Sequence, residues 1–230
     1  MCIAEKLVTI AENELKVFDA GKKAEYDAFW DSVQENGNRK NYDFGFAGEA
    51  WSADNFKPKH PIQPTSCQNM FAYWGTYSGR RGTVDLRGFS IDFSKSTLVA
   101  NCFYGNFFVV AMGEINTTSV IHLQNFFSTC PNLHTIEKLI VKESGETTYY
   151  NTFYYCINLK NITFEGVIGN DISFQDSPLL THDSLMSIIN HLKDFSGTTT
   201  TRALSLGTTN LAKLTDAEKA IATQKGWTLS

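Results

Sequence analysis

The chain is short of the things that most directly announce an activity. It has 5 His and 5 Cys in 230 residues. No two cysteines form a C-x-x-C pair, and no His stands at zinc-ligand spacing from two of them, which argues against a zinc site. No Gly-rich phosphate loop, H-E-x-x-H or G-x-S-x-G occurs. Cationic excess is absent too: 20 Lys+Arg against 24 Asp+Glu give a formal charge of -4, where a nucleic-acid partner needs a basic face. Long apolar runs are missing. The charge-free segment Ser96–Gly113 is interrupted by Asn101, Gly105 and Asn106 and is too polar for a spanning helix, so no membrane insertion is expected. At the N-terminus Glu5 and Lys6 precede any apolar run, which excludes a secretory signal; synthesis and folding in the cytoplasm are expected.

Aromatics, by contrast, are plentiful: 17 Phe, 9 Tyr and 4 Trp. With 42% hydrophobic and 19% charged residues the chain can bury a sizeable core. Many of these aromatics fall into a repeat. "FFSTCPNLHTIEKLIV" (Phe126–Val141) and "FYYCINLKNITFEGVI" (Phe153–Ile168) both read F-x-x-C-x-x-L-x-x-I. Phe127, Cys130, Leu133 and Ile136 thus align with Phe153, Cys156, Leu159 and Ile162, 26 residues on. Upstream, Phe103 opens a further unit, in which Val109, Met112 and Ile115 match Leu133, Ile136 and Leu139. Degenerate units open at Phe71 and Phe46, with Phe56 near an Ile slot, and a shortened one at Phe174. One such unit cannot bury its apolar face, but stacked units build a continuous core beside a ribbon of short parallel strands, here near Lys138–Val141 and Asn161–Phe164. Asn125, Asn132, Asn151 and Asn158 suit the corners, since Asn tolerates the left-handed conformation. Cys130 and Cys156 share one slot and read as small buried hydrophobes in a reduced ladder.

The repeat divides the chain into three. Residues 1–36 carry two amphipathic helical stripes, one over Ile3–Phe18 and one through Tyr26, Phe29, Trp30 and Val33, ended by "ENGNRKN". They pack on the body or on copies of themselves; a homo-oligomer, a trimer among the options, is the competing reading. Residues 37–180 hold the repeats. Residues 181–230 form a mixed cap of helix, strand, helix and strand. "THDSLMSIINHL" has Thr181 or Asp183 as N-cap and Leu185, Ile188, Ile189 and Leu192 as apolar face. Thr215 with Glu218 forms a capping box, Gly226 stops the helix, and "WTLS" returns as a strand.

The F-x-x-C-x-x-L-x-x-I unit resembles the BspA-type leucine-rich repeat. The wider chain is similar to leucine-rich-repeat proteins encoded by gut Firmicutes and their prophages, through "AEYDAFWDSVQENGNR", "FAGEAWSADNFKPKHPI", "EKLIVKESGETTYYNTFYYCINLKNITFEGVIGNDISFQDSPL" and "LAKLTDAEKAIATQKGWTLS". The resemblance implies an α/β-repeat solenoid without catalytic centre, binding proteins or glycans at a cell surface, some members standing among phage tail genes. The near absence of a Gly/Lys-rich linker between "VFDAG" and "KKAEYDAFW" departs from longer members and argues against an extended N-terminal stalk.

Candidate contact residues come from the aromatic, weakly charged flank. Between Lys95 and Glu137 the only charged residue is Glu114, and "TTYYNTFYYC" sets Tyr149, Tyr150, Tyr154 and Tyr155 around one turn. Tyr combines a rigid apolar face with a polar tip, which suits sugars and protein surfaces. Tyr104 stands in the preceding unit, and Arg80 and Arg81 lie in the insertion "SGRRG". Three functions follow for comparison. One is a recognition module, such as a virion-borne phage tail protein engaging a cell-surface glycan or protein; another is an assembly protein holding a subunit. A carbohydrate-active enzyme using remote carboxylates such as Glu143, Glu146 and Glu165 is the third. No cofactor is expected.

Overall fold

A computed structural model describes residues 51–52, 67–68, 71–72, 84–87, 91–96, 99–107 and 109–230. The two helical stripes of residues 1–36, Phe46 and Phe56 of the unit that contains Trp51–Ser52, and Arg80 and Arg81 lie outside the described residues. Described strands are β1 (Trp51–Ser52), β2 (Val84–Leu86), β3 (Ile91–Asp92), β4 (Val109–Asn116), β5 (Thr135–Ile140), β6 (Asn161–Glu165), β7 (Ile172–Ser173), β8 (Arg202–Ser205) and β9 (Trp227–Leu229). Helices are α1 (His182–Asn190), α2 (Gly207–Leu211) and α3 (Asp216–Gln224).

Among the described residues all the strand pairing is parallel. One sheet runs β1-β2-β4-β5-β6, with β3 alongside the end of β4; the other runs β7-β8-β9. Register follows the sequence repeat: Met112 pairs with Ile136 and Ile115 with Leu139, while Ile136 pairs with Ile162. In β6 inward positions alternate with outward ones, Ile162 and Phe164 buried and Asn161, Thr163 and Glu165 facing out, whereas in β5 a register shift between Ile136 and Leu139 lets both be buried three residues apart. Outside, Lys138 bridges Glu114 at 3.4 Å and Glu165 at 3.1 Å across three strands. Such exposed pairs add little stability.

The opening phenylalanines of the units stack in sequence order. Phe71–Phe103, Phe103–Phe127, Phe127–Phe153 and Phe153–Phe174 have centroids 4.8, 5.4, 6.0 and 4.5 Å apart, with interplanar angles of 18–23°. Phe126 packs edge-on against Phe127, Phe103 and Phe93. All these rings are buried, and offset aromatic stacking adds to what burial alone contributes.

Backbone bonds carry the same register around the corners. Asn101 N–H donates to Gln124 O and Asn125 N–H to Tyr150 O, which aligns Asn101, Asn125 and Asn151. All three adopt positive φ, at 58°, 52° and 51°, and Asn125 Nδ2 donates to Asn101 Oδ1 at 2.9 Å. Asn132 and Asn158 meet the corner differently: each Nδ2 donates to a carbonyl one repeat back, Phe107 O at 2.8 Å and Pro131 O at 2.7 Å.

The cap follows its local signals. Thr181 N-caps α1, whose Leu185, Ile188 and Ile189 are buried, as is Leu192 just beyond. The Thr215–Glu218 capping box opens α3, and Gly226 takes φ 84° at its end. The short α2 is an element that the sequence pattern did not mark. Pairing changes partner between β6 and β7. Phe174 still stacks on Phe153, while β7 pairs forward with β8. At the break α1 takes the place of a strand: Ile162 N–H donates to Ser184 Oγ and Phe164 N–H to Ser187 Oγ, each at 2.9 Å. Two serines one helical turn apart thereby satisfy the edge of β6. Lys225 Nζ donates to Ile189 O and Asn190 O, closing the far end of α1.

Candidate functional site

Cys130 and Cys156 do occupy one slot, but packing is only part of their role. Cys130 Sγ donates to Phe103 O at 3.0 Å and Cys156 Sγ to Phe127 O at 3.1 Å, each reaching one repeat back. Asn106 makes the same bond one unit earlier, whereas Ser177 and Asn210 donate to the slot residue of the unit before rather than to its opening Phe. Asn106 Nδ2 donates to Phe71 O at 3.0 Å, Ser177 Oγ to Cys156 O at 3.1 Å and Asn210 Nδ2 to Ser177 O at 3.0 Å. The column Asn106, Cys130, Cys156, Ser177, Asn210 is a ladder of donors that satisfies buried carbonyls. Burial pushes the Cys156 thiol up to about 12 and the Cys130 and Cys102 thiols well above their ordinary range. Thiols held neutral in this way are poor nucleophiles and poor metal ligands.

The tyrosine turn divides between inside and outside. Tyr149 is only 3% exposed, whereas Tyr150, Tyr154 and Tyr155 are 67%, 53% and 47% exposed. The expectation that Tyr149 contacts a ligand is therefore corrected. Leu123 N–H donates to Thr148 O, so Tyr149 stacks over Leu123. Val99, Leu123 and Tyr149 each stand four residues before an opening Phe, and all are buried. Tyr149 fills a core slot, its hydroxyl has no hydrogen-bond partner among the described residues, and burial raises its pKa.

The other three rings mark the corner. Gly105 N–H donates to Ser128 O and Thr129 N–H to Tyr154 O, which aligns 104, 128 and 154 in one column and 105, 129 and 155 in the next. Relative to the repeat before it, the unit at Phe153 exchanges Gln124, Ser128 and Thr129 for Tyr150, Tyr154 and Tyr155 at the same three places. Tyr154 and Tyr155 lie 6.4 Å apart between centroids, tilted by 40°. Tyr104, partly buried, shares the column of Tyr154 two repeats earlier.

Tyr155 carries a further mark. Its φ is 55°, a left-handed conformation that costs a bulky residue energy. Gly105 and Thr129 hold the same bend at 64° and 60°. At Tyr155 the bend is braced by Asp176, whose Oδ2 accepts the Tyr155 N–H at 3.1 Å. Sequence reasoning missed Asp176, because it lies 21 residues away in the shortened unit.

Two of the three carboxylates named for an enzymatic reading are engaged in ion pairs, and Glu143 is exposed. Glu146 pairs with Lys142 at 3.0 Å and Glu165 with Lys138. His182 Nε2 meets Glu218 Oε1 at 2.8 Å, and the Thr215 N–H holds the Glu218 carboxyl below its usual range. Among the described residues no cluster of three or more metal-ligating side chains occurs, and no helix is long and apolar enough to cross a membrane. No protein-family model, curated protein or solved structure matches the chain.

Proposed function

We propose that this chain is a leucine-rich-repeat solenoid of the BspA-like kind, acting without catalysis as a surface-recognition module for a cell-surface glycan or protein. The observation that carries the reading is the corner Tyr150, Tyr154 and Tyr155. A repeat that keeps its neighbour's inward slots sets exposed tyrosines at three positions where that neighbour has the exposed Gln124, the buried Ser128 and the partly buried Thr129. Exposed Tyr is over-represented where surfaces bind, and a stability requirement does not call for it. The likeness to repeat proteins found among phage tail genes supports a place in a virion, where a receptor-binding protein of this kind would meet its host.

The test is retention. Labelled full-length protein is incubated with whole gut bacterial cells and with isolated wall glycans, and bound label is measured. Retention on some strains, lost when Tyr150, Tyr154 and Tyr155 are all changed to Ala in a variant that still folds, supports the proposal. Absence of retention on every strain sinks it, and turnover of wall polysaccharide by the purified protein would replace it with an enzymatic reading.

A further inference from the structure

The tyrosine corner sits in a surface nearly empty of charge. Residues 96–113, 115–136 and 147–159 contain no Asp, Glu, Lys or Arg. Those three segments supply the corners of three successive repeats. A protein-binding surface normally keeps a charged rim for steering and partner choice, and a polyanion would call for Lys or Arg. Among the described residues of these three segments neither occurs, and the acid that reaches the corner, Asp176, comes from the next unit. Gln124, Asn132, Asn151 and Asn158, all partly or fully exposed, offer neutral donors and acceptors instead.

Spacing adds direction. Tyr104 and Tyr154 occupy one column two repeats apart, with the small, buried Ser128 between them. Two repeat spacings amount to about 9–10 Å, taking the distance between neighbouring hydrogen-bonded strands. That is close to the length of a disaccharide unit in an extended β-linked chain. Pyranose rings present apolar C–H faces that stack on aromatic rings, so a chain running along the stack would set every second sugar over a tyrosine. Asp176 is the acid at this corner. Its Oδ2 holds the Tyr155 backbone, and a carboxylate has lone pairs enough to accept a sugar hydroxyl as well. The same charge repels uronic acids and phosphates.

We infer that the corner of Tyr104, Tyr154 and Tyr155, with Asp176 beside it, is a binding site for an uncharged, extended polysaccharide lying along the repeat axis. This rests on the recognition reading above and narrows it to one ligand class. The experiment uses a strain that retains the full-length protein. Its wall polysaccharide is separated by anion exchange into neutral and acidic fractions, and each is offered as competitor; cells are also treated separately with protease and with periodate. The neutral fraction should displace the protein, the acidic fraction should not, and retention should survive protease and fall after periodate. Tyr154→Ala should weaken competition by the neutral fraction at least tenfold. Asp176→Asn, which keeps an acceptor for the Tyr155 N–H, should weaken it several-fold without lowering the melting temperature. Displacement by the acidic fraction, or retention destroyed by protease and indifferent to periodate, overturns the glycan assignment and leaves the recognition reading standing. Retention on no strain removes both.

Discussion

Two neighbouring repeats, Phe126–Val141 and Phe153–Ile168, keep one inside and differ outside. Phe127 and Phe153 stack on each other, Cys130 and Cys156 make the same bond, and Ile136 pairs with Ile162. Outside, Thr129 becomes Tyr155 and His134 becomes Lys160, while the buried Ser128 and Pro131 give way to the exposed Tyr154 and Ile157. The inner letters answer to packing, since each must fit residues one repeat before and after. The outer letters are free of that demand, so a costly choice among them needs another cause. Substitutions test this division by treating the two repeats alike inside and unlike outside.

The largest effect belongs to the phenylalanine stack. Phe127→Ala and Phe153→Ala each remove a buried ring with an aromatic neighbour on both sides. Each should cost about 3–5 kcal/mol in urea or thermal unfolding, and the two values should agree within about 1 kcal/mol. A large inequality would break the equivalence of the slots.

Next comes the donor ladder, where two accounts of the cysteines diverge. As small hydrophobes they should tolerate Val better than Ser. As donors to Phe103 O and Phe127 O they should tolerate Ser, whose hydroxyl can donate to a buried carbonyl as Ser177 Oγ does to Cys156 O one repeat on. Cys156→Val leaves a buried carbonyl unpaired and should cost about 1–3 kcal/mol. Cys156→Ser should cost less than that. The reverse order, measured by chemical denaturation, would return the ladder to packing alone.

The same thiols give a pH dependence with a fixed sign. Burial raises the folded Cys156 thiol to about 12 from an ordinary value of 9.0. Between those values the unfolded chain releases the proton and the folded chain keeps it, so stability falls as pH rises. The contribution is fully present below about pH 9 and declines by roughly 1.4 kcal/mol per pH unit for one thiol toward pH 12. Comparing wild type with Cys156→Ser over that window isolates it; a flat difference would show that the thiol ionises without unfolding.

The repeat was legible in sequence wherever identity of residue type tracked identity of role. Phe, Leu and Ile recur because stacking one apolar shape on itself demands the same shape again. The asparagine corners were legible for a related reason, as few residues take positive φ cheaply. The donor ladder was hidden, because Asn, Cys and Ser can all donate to a carbonyl and so need not match by letter. The burial of Tyr149 was hidden because the Val99, Leu123, Tyr149 slot stands four residues before each opening Phe and there a tyrosine replaces an aliphatic. Asp176 was hidden in another way, since a brace acting across repeats leaves no local pattern. The short α2 has no side-chain cap to announce it.

The smallest expected change in stability is the most telling about the outer surface. Gly105, Thr129 and Tyr155 make one bend at φ 64°, 60° and 55°, and only glycine makes it without strain. Tyr155 is also half exposed, so its ring returns little burial for the cost. Tyr155→Gly should therefore leave the fold intact and stabilise it by up to about 1 kcal/mol, the relieved left-handed strain partly offset by the greater freedom of glycine when unfolded. Its retention on cells should fall together with that of Tyr154→Ala. Thr129→Gly makes the identical backbone change one repeat earlier, where no tyrosine is lost, and should stabilise without touching retention. If Tyr155→Gly destabilised the protein, the ring would be a structural part after all, and the contrast between the two repeats would shrink to a difference in packing. A gain in stability paired with a loss of binding is the result that only a functional tyrosine explains.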